Sequence, residues 1–253
     1  MSNLLSANFA RLRKNKLFWV EMIAMFLFGA CNVWQQHKMG VKFGTSPSLE
    51  NSFFFYPLFM GIITAIFVTL FIGTEYSDGT IRNKLTIGHS RNAIYLGNLI
   101  TNILAMLFVC VSYLASTLIV GVPLFGFFET DMATILLLSL GIFIVVIALC
   151  SVYTFLSMNC ANKTTTAVIA VVCSFVFLFI AIYASSVLSL PDYGGNTLRN
   201  IFKFAYDFFP SCQAFQYMQM NTTNLIEKMM YALLITGITT FGGLIIFNRK
   251  SIK

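Results

Sequence analysis

Long uncharged stretches, separated by short ionisable ones, organise this chain from end to end. They fall at residues 17–37 (with Glu21 inside), 51–74, 92–128, 132–162, 164–191 and 229–248. Each is longer than the roughly 18–20 residues that carry a helix across a bilayer core. Barrel strands alternate apolar and polar positions over short segments, and these runs do not. Helix is then the spanning form in which every backbone polar group finds a partner within the segment. The pattern predicts an all-α polytopic membrane protein: one domain over residues 1–253 with six transmembrane helices, at about 17–37, 52–74, 93–121, 132–158, 166–190 and 228–248.

The segments between the runs carry their own periodicity. Before the first run, Leu5, Phe9 and Leu12 share one helical face, and Ser6, Arg11, Arg13 and Lys14 occupy the rest. That spacing predicts an amphipathic helix lying in the membrane interface, basic toward anionic headgroups. Between the second and third runs lies Glu75-Tyr76-Ser77-Asp78-Gly79-Thr80-Ile81-Arg82-Asn83-Lys84-Leu85-Thr86-Ile87-Gly88-His89-Ser90-Arg91. It reads as a short helix over about 77–88, with Ser77 or Asp78 as N-cap and Gly88 as C-cap. Ile81 and Leu85, four apart, predict an exposed apolar stripe suited to a partner's groove. Residues 191–228 hold Phe202, Phe204, Tyr206, Phe208, Phe209, Phe215 and Tyr217, and Pro210 divides them into two helical pieces. So many aromatics predict a segment, about 198–220, that lies at or dips into the outer leaflet. Asn224 and Glu227 have the spacing of a capping box opening the last helix.

Composition agrees with the pattern: 58% of residues are hydrophobic, 10% are charged, and the mean hydropathy is +0.81. Charge adds an orientation. With six spans, the side bearing both termini holds Arg11, Arg13, Lys14, Lys16, Arg82, Lys84, Arg91, Lys163, Arg249, Lys250 and Lys253. The other side holds Lys38, Lys42, Arg199, Lys203 and Lys228, together with Glu50, Glu129, Asp131, Asp192, Asp207 and Glu227. The basic side is expected to be cytoplasmic. The pI near 9.2 is therefore a topology signal and gives no support to nucleic-acid binding. Arg11–Lys16 followed by an apolar run has the outline of a signal peptide, but residues 17–34 are long for one and Glu21 interrupts them. Cys31, Cys110, Cys150, Cys160, Cys173 and Cys212 show no metal spacing and read as small hydrophobes.

Missing motifs narrow the function. No Gly-x-x-x-x-Gly-Lys-Ser/Thr occurs, so the chain holds no ATP by a P-loop. No His-Glu-x-x-His or Gly-x-Ser-x-Gly supports an intramembrane protease. Ion-coupled carriers place ionisable residues deep in several spans; here Glu21 stands alone. It reads either as a carboxylate snorkelling toward Lys16 or as a polar group lining a passage.

Six spans, an interfacial first helix, and Glu75-x-x-x-Gly79-Thr80-Ile81-Arg82 followed by Ser90-Arg91 resemble the ABC-2-type permease subunits of bacterial ABC exporters. The resemblance implies a type V exporter fold. It makes the loop after the second span a coupling helix seated in an ATPase cleft, with Glu75 anchoring the hinge. Ile81 and Leu85 then supply buried contact, Arg82 and Lys84 meet the cleft rim, and Asp78, Gly79 and Thr80 complete the coupling set. It has the interfacial helix (Leu5, Phe9, Leu12, Arg11, Arg13) touch the same ATPase. It also implies paired re-entrant helices before the last span, with Phe208, Phe209 and Pro210 at an outer gate. The implied partners are a separate ABC ATPase in two copies, carrying ATP and Mg, a second permease as homodimer or heterodimer, and membrane lipids. No cofactor is expected on this chain, which is not expected to be an enzyme. The implied location is the bacterial plasma membrane, with both termini cytoplasmic. Spans rich in Phe and Met suit amphipathic cargo. The resemblance points to exporters of antimicrobial or cytolytic peptides, of the phenol-soluble-modulin or lantibiotic-immunity type. Drug, lipid or sodium efflux, or a carrier or channel without an ATPase, are the alternatives.

Overall fold

A computed structural model describes residues 2–160, 162–190 and 195–250. The described residues form helices without strands: α1 (Ser2–Lys14), α2 (Lys16–Phe43), α3 (Leu49–Phe53), α4 (Pro57–Ser77), α5 (Thr80–Thr86), α6 (Arg91–Phe125), α7 (Met132–Asn159), α8 (Lys163–Ser189), α9 (Gly195–Phe208), α10 (Pro210–Met218) and α11 (Leu225–Arg249). Among them are six segments long and apolar enough to cross a membrane, formed by α2, α3–α4, α6, α7, α8 and α11.

Local chemistry sets the boundaries. Asn15 caps α2, its side chain accepting from the Phe18 N–H at 3.2 Å. The second run is divided, where the pattern predicts one helix from about residue 52. Short α3 ends at Phe53, and α4 restarts with Pro57 in its first turn, where a missing N–H costs nothing. Asn162 caps α8, accepting from Thr164 and Thr165. The capping box expected at α11 does not form. Asn224 has a left-handed backbone (φ 51°) and its side chain makes no cap bond. A capping side chain reaches its target from the extended region, which this residue has left.

α2 lies along α6, α11 lies along α7, and α4 packs against both α7 and α8. The main core runs through α4, α6 and α7, around Phe67, Phe71, Tyr95, Met106, Tyr113 and Leu149. On the outside of the bundle α2, α8 and α11 show apolar side chains such as Ile23, Leu27, Val172, Phe179, Ile238 and Phe241. An apolar surface this extensive suits lipid, where it costs no hydration.

The aromatic segment folds back into the bundle. Phe209, in extended conformation, joins α9 to α10, and Pro210 opens α10 as expected. At this tip Phe208 lies 5.7 Å from Tyr231 of α11, and Phe209 lies 5.7 Å from Phe177 of α8, between ring centroids. The tip also borders an apolar cavity of about 240 Å³ with Leu149 and Val152 of α7 and Ile235 of α11. Ile235 stands ten residues into α11, about 15 Å along its axis at 1.5 Å per residue. The pair is thus a helical hairpin whose tip packs among α7, α8 and α11. Gln213 donates to the Asp207 carbonyl at 2.6 Å and Gln216 to the Tyr206 carbonyl at 2.9 Å, satisfying the backbone at the bend. Tyr217 sits so close to Gly141 of α7 that a Cβ there would lie 2.7 Å from its ring.

Candidate functional site

The end of the bundle carrying α1 and α5 holds most of the organised polar chemistry. α4 closes at Ser77, and Gly79, in the left-handed region at φ 67°, turns the chain and stands before α5. Ser77 and Asp78 do not cap α5 as the sequence predicts. Asp78 ends α4 instead, and the Ser77 hydroxyl donates back to the Thr74 carbonyl at 3.1 Å. The turn needs a positive φ before the first helical residue, which glycine supplies at no steric cost. The other end forms as expected. Gly88 at φ 96° donates to Leu85 at 3.0 Å, and His89 donates to Lys84 at 3.1 Å. This double bond pattern closes a helix at a left-handed residue. Ser90 then caps α6, accepting from the Ala93 N–H at 3.3 Å.

Glu75 is the hub of this end. It is fully buried, and it pairs with Arg11 of α1 and Lys84 of α5. Its second oxygen accepts from the Asn98 amide of α6 at 2.7 Å. Asn8 closes the ring, donating to the Asn98 Oδ1 at 3.3 Å and accepting from the Lys84 ammonium at 2.9 Å. Arg11 also donates to the Phe71 carbonyl at 3.0 Å and lies 3.6 Å from the Phe71 ring centroid. Burial lowers the Arg11 guanidinium from its ordinary value, while Glu75 and Asp78 pull it back. Four elements, α1, α4, α5 and α6, therefore meet on one carboxylate.

The network decides which way α5 faces. Ile81 is 1% exposed and belongs to the main core, and Leu85 packs against that core. The apolar stripe expected to face a partner is therefore turned inward, because docking α5 onto its own bundle buries the same two side chains. Lys84 is likewise committed to Glu75 and Asn8, not to a rim. What α5 shows to solvent is Arg82, Asn83, Thr86 and Ile87, the last 78% exposed. On α1 the buried face is Leu4, Asn8 and Leu12, while Leu5 is half-buried and Phe9 exposed, so of the expected Leu5, Phe9 and Leu12 stripe only Leu12 is buried. Arg13 is exposed.

A second clasp lies beside the first. Arg91 donates to the Phe247 carbonyl at 2.9 Å and also reaches the Lys250 carbonyl, tying the end of α11 to the start of α6. The Lys250 ammonium, its charge disfavoured by burial, donates to the Met158 carbonyl at 3.0 Å and the Tyr76 hydroxyl at 3.1 Å. Asn8, Asn98 and Ile87 escape sequence reasoning. Asn98 carries a signal in hindsight, since an amide inside an apolar run needs a partner. Asn8 breaks the Leu4 and Leu12 face at the position of the bond.

The remaining expected residues lie elsewhere. Glu21, on α2, borders a cavity between α2 and α4, and no ion pair joins it to Lys16 among the described residues. Phe208, Phe209 and Pro210 form the hairpin tip described above. None of these touches the Glu75 ring.

Comparison with known families gives one further finding. A family model described as ABC-2 family transporter protein matches residues 4–181, which hold α1 through α7, most of α8 and the whole Glu75 ring. No curated protein matches the sequence.

Proposed function

We propose that this chain, which belongs to the ABC-2 family of transporter proteins, is the permease half of an ATP-driven exporter coupled to its ATPase through the solvent face of α5. It is a multi-pass membrane protein of the plasma membrane in this reading, with α1, α5 and both termini in the cytoplasm, in line with the excess of Lys and Arg at that end. The observation that carries the proposal is the geometry of α5. A seven-residue helix and the Ile87 that follows it offer an exposed arginine and isoleucine, and a buried carboxylate ties the helix to the ends of three others. A push on that face reaches α1, α4 and α6 together. ATP-driven closure of two ATPase copies against two permeases would then bias the spans between an inward-facing and an outward-facing state. ATP and Mg sit on the partner, and this chain does no hydrolysis of its own.

A photo-crosslinking residue in place of exposed Asn83, in cells expressing the whole transporter, tests coupling and orientation together. The expected product joins this chain to one with a P-loop, which can be reached only from the cytoplasm. Efficient crosslinking that yields no ATP-binding chain would overturn the proposal.

The cargo we propose is an amphipathic peptide, because the spans offer many Phe and Met side chains that repack around irregular apolar shapes. The hairpin tip would act as the outer gate. Burying one Phe contributes roughly 1.5–3 kcal/mol, and a gate whose states differ by a few kcal/mol responds to losing two. Replacing Phe208 and Phe209 together with Ser should therefore raise ATP turnover without cargo, with the complex still assembled. Turnover and transport equal to the parent's would remove the tip from the gate.

A further inference from the structure

The groove between α2 and α4 has a chemistry that the coupling reading leaves unused. Its inner part is a cavity of about 360 Å³ lined by Glu21 with Ala24, Met25, Phe28, Phe59, Ile62 and Ile63. Its volume lies within the range of small-molecule sites. The Glu21 Oε2 is buried and has no hydrogen-bond partner among the described residues, and neither ion pair there includes it. Burying a carboxylate oxygen without a partner is costly, and a cation or donor bound in the groove would offset that cost. The surface continues. Phe28 also lines a second cavity of about 670 Å³, where Asn32, Gln35, Gln36 and Asn51 bring amides to the opposite end. On α2 the residues 21, 24, 25, 28, 32, 35 and 36 follow a helical face. One wall thus runs from a carboxylate through aromatic rings to neutral amides.

We infer that this groove binds a lipophilic cation, an ammonium or guanidinium group joined to an apolar body, with Glu21 as counter-ion and the Phe28 and Phe59 side of the groove holding the body. Charge complementarity sets the sign of the ligand. The walls set its shape: a small hard cation wants several oxygen ligands, and this cavity offers one carboxylate among hydrocarbon. Aromatic rings beside the carboxylate favour a poorly hydrated cation over a strongly hydrated one. The inference concerns binding alone and does not need the transport reading.

Binding is measured on the purified full-length chain in neutral detergent, without ATP or ATPase. The probes are tetraphenylphosphonium, its anionic counterpart tetraphenylborate, and sodium. Tetraphenylphosphonium should bind saturably. Glu21→Gln should weaken it by about tenfold or more, as loss of a buried charge partner does, and Glu21→Asp should retain part of the affinity. Ala24→Trp, which fills the cavity and keeps the carboxylate, should abolish binding. Thermal unfolding at the parent temperature is required of each variant scored, and Glu21→Gln alone decides the matter if the tryptophan variant fails this. Equal binding by parent and Glu21→Gln, equal binding of both tetraphenyl ions, or displacement by sodium at about the same concentration as tetraphenylphosphonium would each overturn the site. Because no ATPase is present, absent binding with intact ATPase coupling counts against the groove alone. Intact binding with no ATPase association counts against the proposed function alone.

Discussion

Replacing Glu75 with leucine should loosen α1 and α5 from the bundle and destabilise this end by about 3–5 kcal/mol, the usual cost of removing one partner from a buried ion pair. Glu75 is fully buried, and it is the acid in both ion pairs found among the described residues. Its loss leaves the Lys84 ammonium, on a side chain only 12% exposed, facing Asn8 alone. Arg11 is more exposed, at 27%, so part of its charge can turn to water. The expected signature is local. Amide hydrogen exchange should speed up in residues 2–14 and 80–88, and stay slow in α10, which shares no bond with the ring. Glu75→Gln should fall between, keeping the acceptor for Asn98 and losing the charge. A triple change of Glu75→Leu, Lys84→Met and Arg11→Leu should recover much of the protection, since a buried ionic group replaced whole by apolar side chains is often neutral or better. Unchanged exchange in α1 and α5 for Glu75→Leu would show that the ring does not hold them.

The spans were the most legible part of the chain because lipid imposes one rule on every residue in them. Uncharged runs of sufficient length must be helices, and six such segments appear. The break at Pro210 was legible for a related reason: a proline opens a helix and cannot continue one. Gly88 was legible because a left-handed closing residue favours glycine. Facing was much harder to read. Ile81 and Leu85 share a stripe in any helix, but whether that stripe meets a foreign groove or the chain's own core depends on residues far away. Asn98 lies 23 positions from Glu75 and Asn8 lies 90 from Asn98, so no local window contains the ring that turns α5. The same holds for α1, where the choice between the Leu4 face and the Leu5 face is made by α6. The left-handed backbone at Asn224 also overrode a correct-looking spacing, because a capping side chain reaches its target from the extended region.

The facing of α5 separates two substitutions that look equivalent in sequence. Ile87→Asp should reduce association with the ATPase by at least about a hundredfold, roughly 2.7 kcal/mol, without altering the permease itself. Ile87 is 78% exposed at the end of α5, so the free permease loses almost no packing when it changes. In a complex the same side chain would enter an apolar groove. Losing that contact costs roughly 1.5–3 kcal/mol, and stranding a carboxylate there costs several more. Arg82→Glu should act in the same direction with a smaller effect, because a charge at a rim contributes mostly to encounter rate and salt dependence. Ile81→Asp should behave differently. It places a charge in the core beneath α5, so it should lower the thermal stability of the permease and disrupt the complex only as a consequence. Co-purification with the ATPase, read beside thermal unfolding of the permease alone, distinguishes the three. The proposed coupling face stands if Ile87→Asp loses the partner at parental stability. It falls if Ile87→Asp keeps the partner in parental yield, because α5 would then serve only its own bundle.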